Sequence, residues 1–206
     1  MTRGRFITLE GGEGVGKTTQ LRALADALRA RGIDVVTTRE PGGSDGAEAI
    51  RRLLLEGGEE RWNAPAEALL FAAARTDHVD KLVRPAVQSG QWVLSDRFID
   101  SSLAYQGGAG GLGIEAVRAI NAFGIEEWFP DRTLLLLHPD GAERARARDG
   151  EVSDRIGGRP ASYHEGVEQA FRDIAAAEPE RVHLVDASGS PEQVTGRLLT
   201  ALEDLL

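Results

Sequence analysis

The stretch with the clearest chemical potential in this 206-residue chain is Gly-Gly-Glu-Gly-Val-Gly-Lys-Thr, at residues 11–18. One glycine, four further residues and then Gly-Lys-Thr is the spacing typical of a loop that binds phosphate. Glycines let successive backbone N–H groups curl around an anion, and a following helix N-terminus adds partial positive charge. Lys17 can reach β- and γ-phosphates, and the Thr18 hydroxyl can bind Mg²⁺.

The surroundings of this loop fit the same chemistry. An apolar, β-prone run at residues 6–10 precedes it, and helical spacing over residues 17–31 follows it. A strand, a glycine loop and a helix in register are what the motif requires, which disfavours a glycine-rich turn without a ligand. The residues predicted to bind the nucleotide phosphates are Gly11, Gly12, Glu13, Gly14, Val15, Gly16, Lys17, Thr18 and Thr19.

Charged residues also follow two other predicted strands. Asp96 and Arg97 come directly after residues 91–95, and Arg39 follows residues 33–38. A carboxylate beside a phosphate loop can hold Mg²⁺, and an arginine can bind a phosphate through two hydrogen bonds. Surface ion pairs and a plain turn are the alternatives, and for Arg39 alone the turn is the better interpretation.

Phe71, Arg75 and His78 are spaced by four and three residues, so they share one face of a predicted helix. An aromatic ring and a guanidinium on one face could stack on a base and hydrogen-bond to it. From spacing alone, a core phenylalanine and a surface arginine remain the preferred interpretation.

Residues 101–108, Ser-Ser-Leu-Ala-Tyr-Gln-Gly-Gly, are predicted to form a polar loop rich in donors and acceptors. Ser102 and Gln106 could recognise the edge of a base, and Tyr105 could pack on a sugar. An ordinary loop with a buried tyrosine is the alternative.

Five arginines lie within residues 144–159, in an irregular insertion over residues 144–160 that looks like a short mobile lid. Arginines stabilise the charge that spreads over the oxygens during phosphoryl transfer. A solvated cationic face is the alternative, but the chain as a whole has a net charge of −9 and this cluster opposes that trend.

The elements that must position these residues alternate between strand and helix along the chain. The predicted strands are residues 6–10, 33–38, 91–95, 133–138 and 181–186. The predicted helices are residues 17–31, 46–55, 64–88, 113–123, 141–148, 163–177 and 191–206. This alternation predicts a parallel five-stranded sheet with helices on both faces and all strand C-termini at one edge, where ligands bind.

The composition limits the possible functions. We expect a single α/β domain over residues 1–206, without a signal peptide or a bilayer-spanning segment. The chain has no cysteine, which excludes thiolate metal sites, disulfides and cysteine nucleophiles and fits a reducing cytoplasm. The acidic balance disfavours binding to polynucleotides, although a local arginine cluster can still bind polyphosphate.

Taken together, these segments resemble the thymidylate kinase family, whose members transfer the ATP γ-phosphoryl group to dTMP. The resemblance depends on motifs that occur in the family's order: the loop ending Lys-Thr-Thr-Gln, then Arg-Glu-Pro-Gly-Gly, Phe-x-x-x-Arg, Asp-Arg-Phe, Ser-Ser-x-Ala-Tyr-Gln-Gly, Pro-Asp-x-Thr-Leu, Arg-x-Arg-x-Arg and Asp-Arg-Ile. It implies the P-loop NTP hydrolase fold with a lid, the substrates ATP and dTMP, Mg²⁺, a role in dTTP biosynthesis and a cytoplasmic homodimer. The homodimer would form through residues 64–88 and 113–123.

The resemblance also implies roles for individual residues. Phe71 would stack on thymine, Arg75 would bind its exocyclic oxygen, and Tyr105 would crowd the sugar 2′ position. The other implied substrate contacts are the base with Ser102 and Gln106, the acceptor phosphate with Arg39 and Arg97, and the 3′-hydroxyl with Glu13. Lys17, Asp96 and Arg97 would be catalytic, and the metal ligands would be Thr18 and Asp96.

Family members that lack an arginine in the phosphate loop carry catalytic arginines in the lid. This chain has Gly14 at that position, so the resemblance implies catalysis by Arg148 and Arg155, with Arg144 at the nucleotide. The sequence departs from the family at Phe98, often a tyrosine, and at Gly-Gly-Arg-Pro over residues 157–160. Another nucleoside monophosphate or deoxynucleoside kinase and, less favoured, a nucleotide-binding switch without an acceptor remain alternatives.

Overall fold

Five short strands form one parallel sheet in the computed structural model, which describes residues 3–126, 128–138 and 155–206. The strands are β1 (Phe6–Glu10), β2 (Val35–Arg39), β3 (Trp92–Asp96), β4 (Arg132–Leu137) and β5 (Val182–Asp186). Their order across the sheet is β2, β3, β1, β4, β5. The predicted parallel sheet is confirmed, with strand ends within two residues of those expected.

Helices cover both faces of this sheet. They are α1 (Lys17–Arg29), α2 (Asp45–Leu55), α3 (Ala64–His78), α4 (Arg84–Gln88), α5 (Ile99–Ser102), α6 (Ile114–Ile125), α7 (Ala161–Ala177) and α8 (Pro191–Thr200). Within the described ranges, no helix is long and apolar enough to cross a bilayer. The predicted helix over residues 141–148 lies outside the described residues.

Side chains along the central strands point alternately to the two faces of the sheet, so the core has two layers. Phe6 of β1 and Leu135 of β4 pack against the layer that contains α3 to α7. Ile7, Leu9 and Leu134 pack against α1 and α8 on the other face. Because side chains alternate along a strand, Glu10 points to the same face as Phe6, towards α5. The end of β1 is therefore directed at the segment that follows β3.

Residues 101–108 were expected to form a loop, and this prediction is wrong. α5 continues into a π-helical segment over Leu103–Ala109, a type of segment frequent at functional sites. Gly108 packs so closely on α7 that a Cβ atom there would lie 2.5 Å from the Cβ of Ala170. The glycines and serines of this segment favour turns, but the tertiary packing of its small residues keeps the segment helical.

The predicted helix over residues 64–88 is continuous but not uniform. A π-helical turn over Val79–Val83 separates α3 from α4. The Arg84 amide bonds to the carbonyl of Val79, five residues earlier, just before Pro85, which has no N–H to donate. This wider turn accommodates the proline without ending the helix.

Candidate functional site

The phosphate loop connects β1 to α1, and three of its glycines have positive φ angles. These angles are 136° at Gly11, 75° at Gly14 and 92° at Gly16, in a region that other residues rarely adopt. A Cβ atom at Gly11 would also collide with the carbonyl oxygen of Leu136 on β4. The glycines are therefore required by the path of the loop, which delivers the N-terminus of α1 to the edge of the sheet.

Lys17 is buried at the start of α1 and lies across this loop. Its ammonium donates to the carbonyl oxygens of Gly11 at 3.0 Å and Gly12 at 2.7 Å. Burial, with a smaller contribution from the Arg97 guanidinium, lowers the pKa of Lys17 to about 8. A bound anion would favour the charged form, since an opposite charge stabilises an ammonium.

A cavity of about 250 Å³ lies over the loop, with a possible metal site at one wall. The Thr18 hydroxyl donates to the Asp96 carboxylate at 2.9 Å. One hydroxyl and one carboxylate are hard oxygen ligands, and such a pair suits Mg²⁺, which keeps several of its waters. Among the residues that the structure describes, no group of three or more histidines and carboxylates could hold a metal ion.

A second cavity, of about 230 Å³, adjoins the first. Both are lined by Glu13, Thr18, Asp96 and Arg97. The second cavity also contains all the residues predicted to bind the acceptor, namely Arg39, Phe71, Arg75, Ser102, Tyr105 and Gln106. The structure therefore brings the predicted donor and acceptor residues to one continuous cleft at the strand C-termini.

Arg97 lies where the two cavities meet. Its φ angle of 73° is rare for a residue other than glycine, and such strain is concentrated at functional sites. Its guanidinium donates to Glu13 at 2.6 Å and to the Ser101 hydroxyl at 3.0 Å, and lies 5.1 Å from the centre of the Tyr105 ring. The charge of Arg97, together with smaller effects, lowers the pKa of Glu13 despite partial burial. The loop carboxylate and the acceptor-side tyrosine are thus joined through one cation.

Glu10 holds the segment that carries Arg97. Its fully buried carboxylate accepts hydrogen bonds from the Phe98 amide at 2.7 Å, the Ser101 amide at 3.2 Å and the Ser101 hydroxyl at 2.6 Å. A carboxylate at the N-terminus of a helix stabilises the helix. Here the helix is α5, which follows β3, and the carboxylate comes from β1. Burial, supported by the nearby Asp100 carboxylate, raises the pKa of Glu10 to about 7.

Arg75 is 2% exposed and is the largest fully buried side chain described. Its guanidinium donates to Glu40 at 2.8 Å, Ser102 at 3.0 Å, Asn121 at 2.5 Å and the carbonyl oxygen of Phe98 at 2.9 Å. These contacts use four of the five N–H groups of an arginine, which leaves one on Nη2. The surface position that spacing alone favoured for Arg75 is therefore wrong.

Glu40 connects Arg75 to His78 on the same helix. The His78 ring contacts Glu40 through Nδ1 at 3.0 Å and the Thr38 hydroxyl through Nε2 at 2.8 Å. Since a carboxylate only accepts, Nδ1 donates the hydrogen bond to Glu40. His78 is fully buried and therefore supports Glu40 without lining the cavity.

The lid arginines are only partly described. Arg144 and Arg148 lie outside the described residues, so their predicted roles stay predictions. Arg155 is buried against Glu67 of α3 and also donates to the carbonyl oxygen of Leu54 at 2.8 Å. It lines neither cavity, and its catalytic role likewise stays a prediction.

Four buried polar residues of this site were missed by sequence reasoning. Glu10 could have been found, because it is an acidic residue at the end of an apolar strand. Asn121 could also have been found, because it is a polar residue on an apolar helix face. Glu40 and Glu67 gave no such signal, because their partners lie 35 to 92 residues away along the chain. Glu10, Glu67 and Asn121 lie beneath the cavity surface, whereas Glu40 is buried but lines the cavity.

The chain is similar to known thymidylate kinases along nearly its whole length. The sequence profile described as "Thymidylate kinase" matches residues 9–198. A thymidylate kinase of Rhizorhabdus wittichii is 63% identical over 98% of this chain and 99% of its own, and one of Bradyrhizobium diazoefficiens is 48% identical over 99% and 91%. The crystal structure of thymidylate kinase from Ehrlichia chaffeensis has a TM-score of 0.81 at 30% identity and covers 97% of this chain and 99% of its own.

The raised pKa of Glu10 predicts how stability depends on pH. Folded Glu10 keeps its proton up to about pH 7, whereas the ordinary value is 4.5, so between these values the folded state binds more protons. The free energy of unfolding of the wild type, relative to Glu10→Gln, should therefore fall as pH rises through this window, by on the order of 3 kcal/mol. Urea unfolding at several pH values measures it. The exposed Glu203→Gln variant is the control, and parallel curves for all three proteins would contradict the prediction.

Proposed function

The chain belongs to the thymidylate kinase family, with the P-loop fold expected from its sequence, and we propose that it transfers the γ-phosphoryl group of ATP to dTMP. The observation that carries this proposal is the continuous cleft, in which one cavity is lined by the phosphate loop and the other by base- and phosphate-binding side chains. Phosphoryl transfer needs this juxtaposition, because positioning and charge stabilisation supply most of the rate.

On the donor side, the loop amides and Lys17 hold the ATP phosphates. Thr18 and Asp96, whose oxygens lie 2.9 Å apart, hold Mg²⁺. Bound there, Mg²⁺ would offset the negative charge of the phosphate oxygens. The protein residues orient the γ-phosphate towards the second cavity, on the far side of Arg97.

On the acceptor side, Arg97 and Arg39 bind the dTMP phosphate. Arg39 ends β2 directly opposite Asp96, and both arginines line the cavity that Glu13 of the phosphate loop also lines. The acceptor phosphate oxygen is itself the nucleophile and is largely ionised near neutral pH. The reaction therefore needs no strong general base, and the arginines act by holding two anions close together.

The base lies against Phe71, with the remaining Nη2 hydrogen of Arg75 directed to an exocyclic oxygen. Four protein acceptors fix this guanidinium, so it is preorganised and loses little entropy when it binds. Tyr105 and Glu13 lie 3.4 Å apart and face the sugar, where the tyrosine crowds the 2′ position. Cationic lid residues, Arg148 first among them, complete the stabilisation of the transferring group.

The protein acts as a cytoplasmic homodimer, assembled through α3 and α6. These helices pack so closely that a Cβ atom at Gly124 would collide with the Thr76 hydroxyl. Each also leaves a large apolar side chain in solvent, with Leu69 57% exposed and Phe123 94% exposed. Exposed apolar side chains on neighbouring helices are typical of a protein interface.

The proposed reaction predicts that ADP release from ATP depends on dTMP. We expect dTMP or dUMP to give the highest kcat/KM among the nucleoside monophosphates, with thymidine inactive because it lacks the phosphate nucleophile. A coupled assay of ADP release with dTMP, dUMP, dCMP, dGMP and thymidine tests this. ATP hydrolysis that no acceptor stimulates would instead indicate a nucleotide-binding switch.

Arg39→Ala should raise the KM for dTMP by about tenfold or more, because a charge-assisted hydrogen bond to the acceptor phosphate is lost. The KM for ATP should change little. Arg39 is half exposed and pairs only with Glu48 among the described residues, so the fold should survive. Arg172→Ala removes an exposed arginine on α7 and is the matched control. Equal values of KM for dTMP in both variants would remove Arg39 from the site.

Phe123→Asp should convert the homodimer to a monomer, because a charge in an apolar interface is costly to bury. Sedimentation velocity measures the change. Leu184→Asp, at an apolar position 58% exposed on β5, is the control and should sediment as the wild type does. A monomeric wild type would contradict the proposed assembly.

A further inference from the structure

Glu67 is a buried carboxylate next to the base-binding part of the cleft, and the roles described above do not use it. It lies in the first turn of α3 and is 2% exposed. It does not line the acceptor cavity itself, but its neighbour Gln106 does. Glu67 can therefore influence a bound base only through the side chains that it holds.

The two carboxylate oxygens of Glu67 have different partners. Oε1 accepts from the side-chain amide of Gln106 at 3.0 Å. Oε2 accepts from Arg159 at 2.7 Å and from Arg155. An ionised carboxylate only accepts hydrogen bonds, so the Gln106 group that faces it must be the amide nitrogen. A flip of this amide would bring its carbonyl oxygen against the carboxylate, where the two acceptors repel.

This contact also determines what Gln106 offers to a ligand. One hydrogen of the Gln106 Nε2 group donates to Glu67, which fixes the plane of the amide and turns Oε1 away from position 67, and none of the described residues donates to that oxygen. Gln106 lines the same cavity as Arg75 and Ser102. The cavity therefore presents a hydrogen-bond acceptor from Gln106 together with the donor from Arg75.

We propose that Glu67 is a positioning residue that determines base specificity, by fixing the Gln106 amide so that its oxygen accepts from the base. This inference rests on the proposed function, since it takes a pyrimidine monophosphate as the acceptor. Thymine and uracil carry a hydrogen at N3, next to the exocyclic oxygen O4. Cytosine has the reverse pattern, with an acceptor at N3 and an amino donor at position 4, so it leaves buried polar groups unpaired.

Glu67→Gln should reverse the orientation of Gln106. The guanidinium groups of Arg155 and Arg159 would attract the oxygen of the new amide, so its nitrogen would face Gln106. Gln106 would then turn its own oxygen to position 67 and its nitrogen to the cavity. We expect the ratio of kcat/KM for dTMP to that for dCMP to fall by about tenfold or more. The ratio for dTMP to dUMP should not change, because both bases carry N3–H.

Two variants separate this role from the anchoring of the arginines. Arg159→Gln removes one ionic partner of Glu67 and leaves the contact with Gln106, so it should lower turnover without changing the dTMP to dCMP ratio. The double variant Glu67→Gln with Gln106→Glu exchanges the two groups at constant charge. It again places an acceptor oxygen towards the cavity and should restore the ratio. Because the measured quantity is a ratio, it does not depend on the fraction of folded enzyme.

The outcomes distinguish the two proposals. A wild type that does not prefer dTMP to dCMP would contradict the proposed function and this role together. If the wild type has the preference and Glu67→Gln keeps it, with both rates lowered equally, Glu67 only anchors Arg155 and Arg159, and the inference is overturned. A lost ratio that the double variant restores supports it.

Discussion

At the end of the central strand, the Glu10 carboxylate is enclosed by the backbone amides of Phe98 and Ser101 and by the Ser101 hydroxyl. The phosphate loop leaves β1 at this residue, and Arg97 precedes the amides that Glu10 binds. This one carboxylate therefore connects the end of β1, where the phosphate loop begins, to the segment that carries Arg97. Burial raises the pKa of this carboxylate, so the folded protein loses stability when Glu10 is ionised. Such a cost in stability is typical of functional sites.

The site concentrates cations in an acidic protein, and pairing makes this possible. A buried charge is costly unless an opposite charge and hydrogen bonds accompany it. Four described arginines of the cleft and its border have a carboxylate partner, in the pairs Arg97 with Glu13, Arg39 with Glu48, Arg75 with Glu40, and Arg155 with Glu67. The partners also hold the guanidinium groups in place, so that they are oriented before a nucleotide binds.

Local patterns were enough to predict the strands, their parallel arrangement and the phosphate loop. Such features depend on near neighbours: apolar runs form strands, and glycines with Lys-Thr form an anion-binding turn. The helical state of residues 101–108 was not predicted, because it depends on the contact of Gly108 with Ala170 and on Glu10. Spacing along α3 indicated that Phe71, Arg75 and His78 share a face, but it favoured a surface position for Arg75. The groups that pair with the buried guanidinium lie elsewhere along the chain, so spacing within one helix does not indicate them.

The order of the motifs along the sequence was enough to indicate the family and the nucleotide chemistry. A phosphate loop and its glycines act through backbone geometry, and a short segment of sequence encodes that geometry. The layer beneath the cavity was decided by the tertiary structure alone. Glu67 meets Gln106 and Arg159 from positions 39 and 92 residues apart, and only the packing of α3 against the segments that follow β3 and the lid brings them together. The direction of the hydrogen bond between Gln106 and Glu67 depends on such partners, and the proposed choice of base depends on that direction.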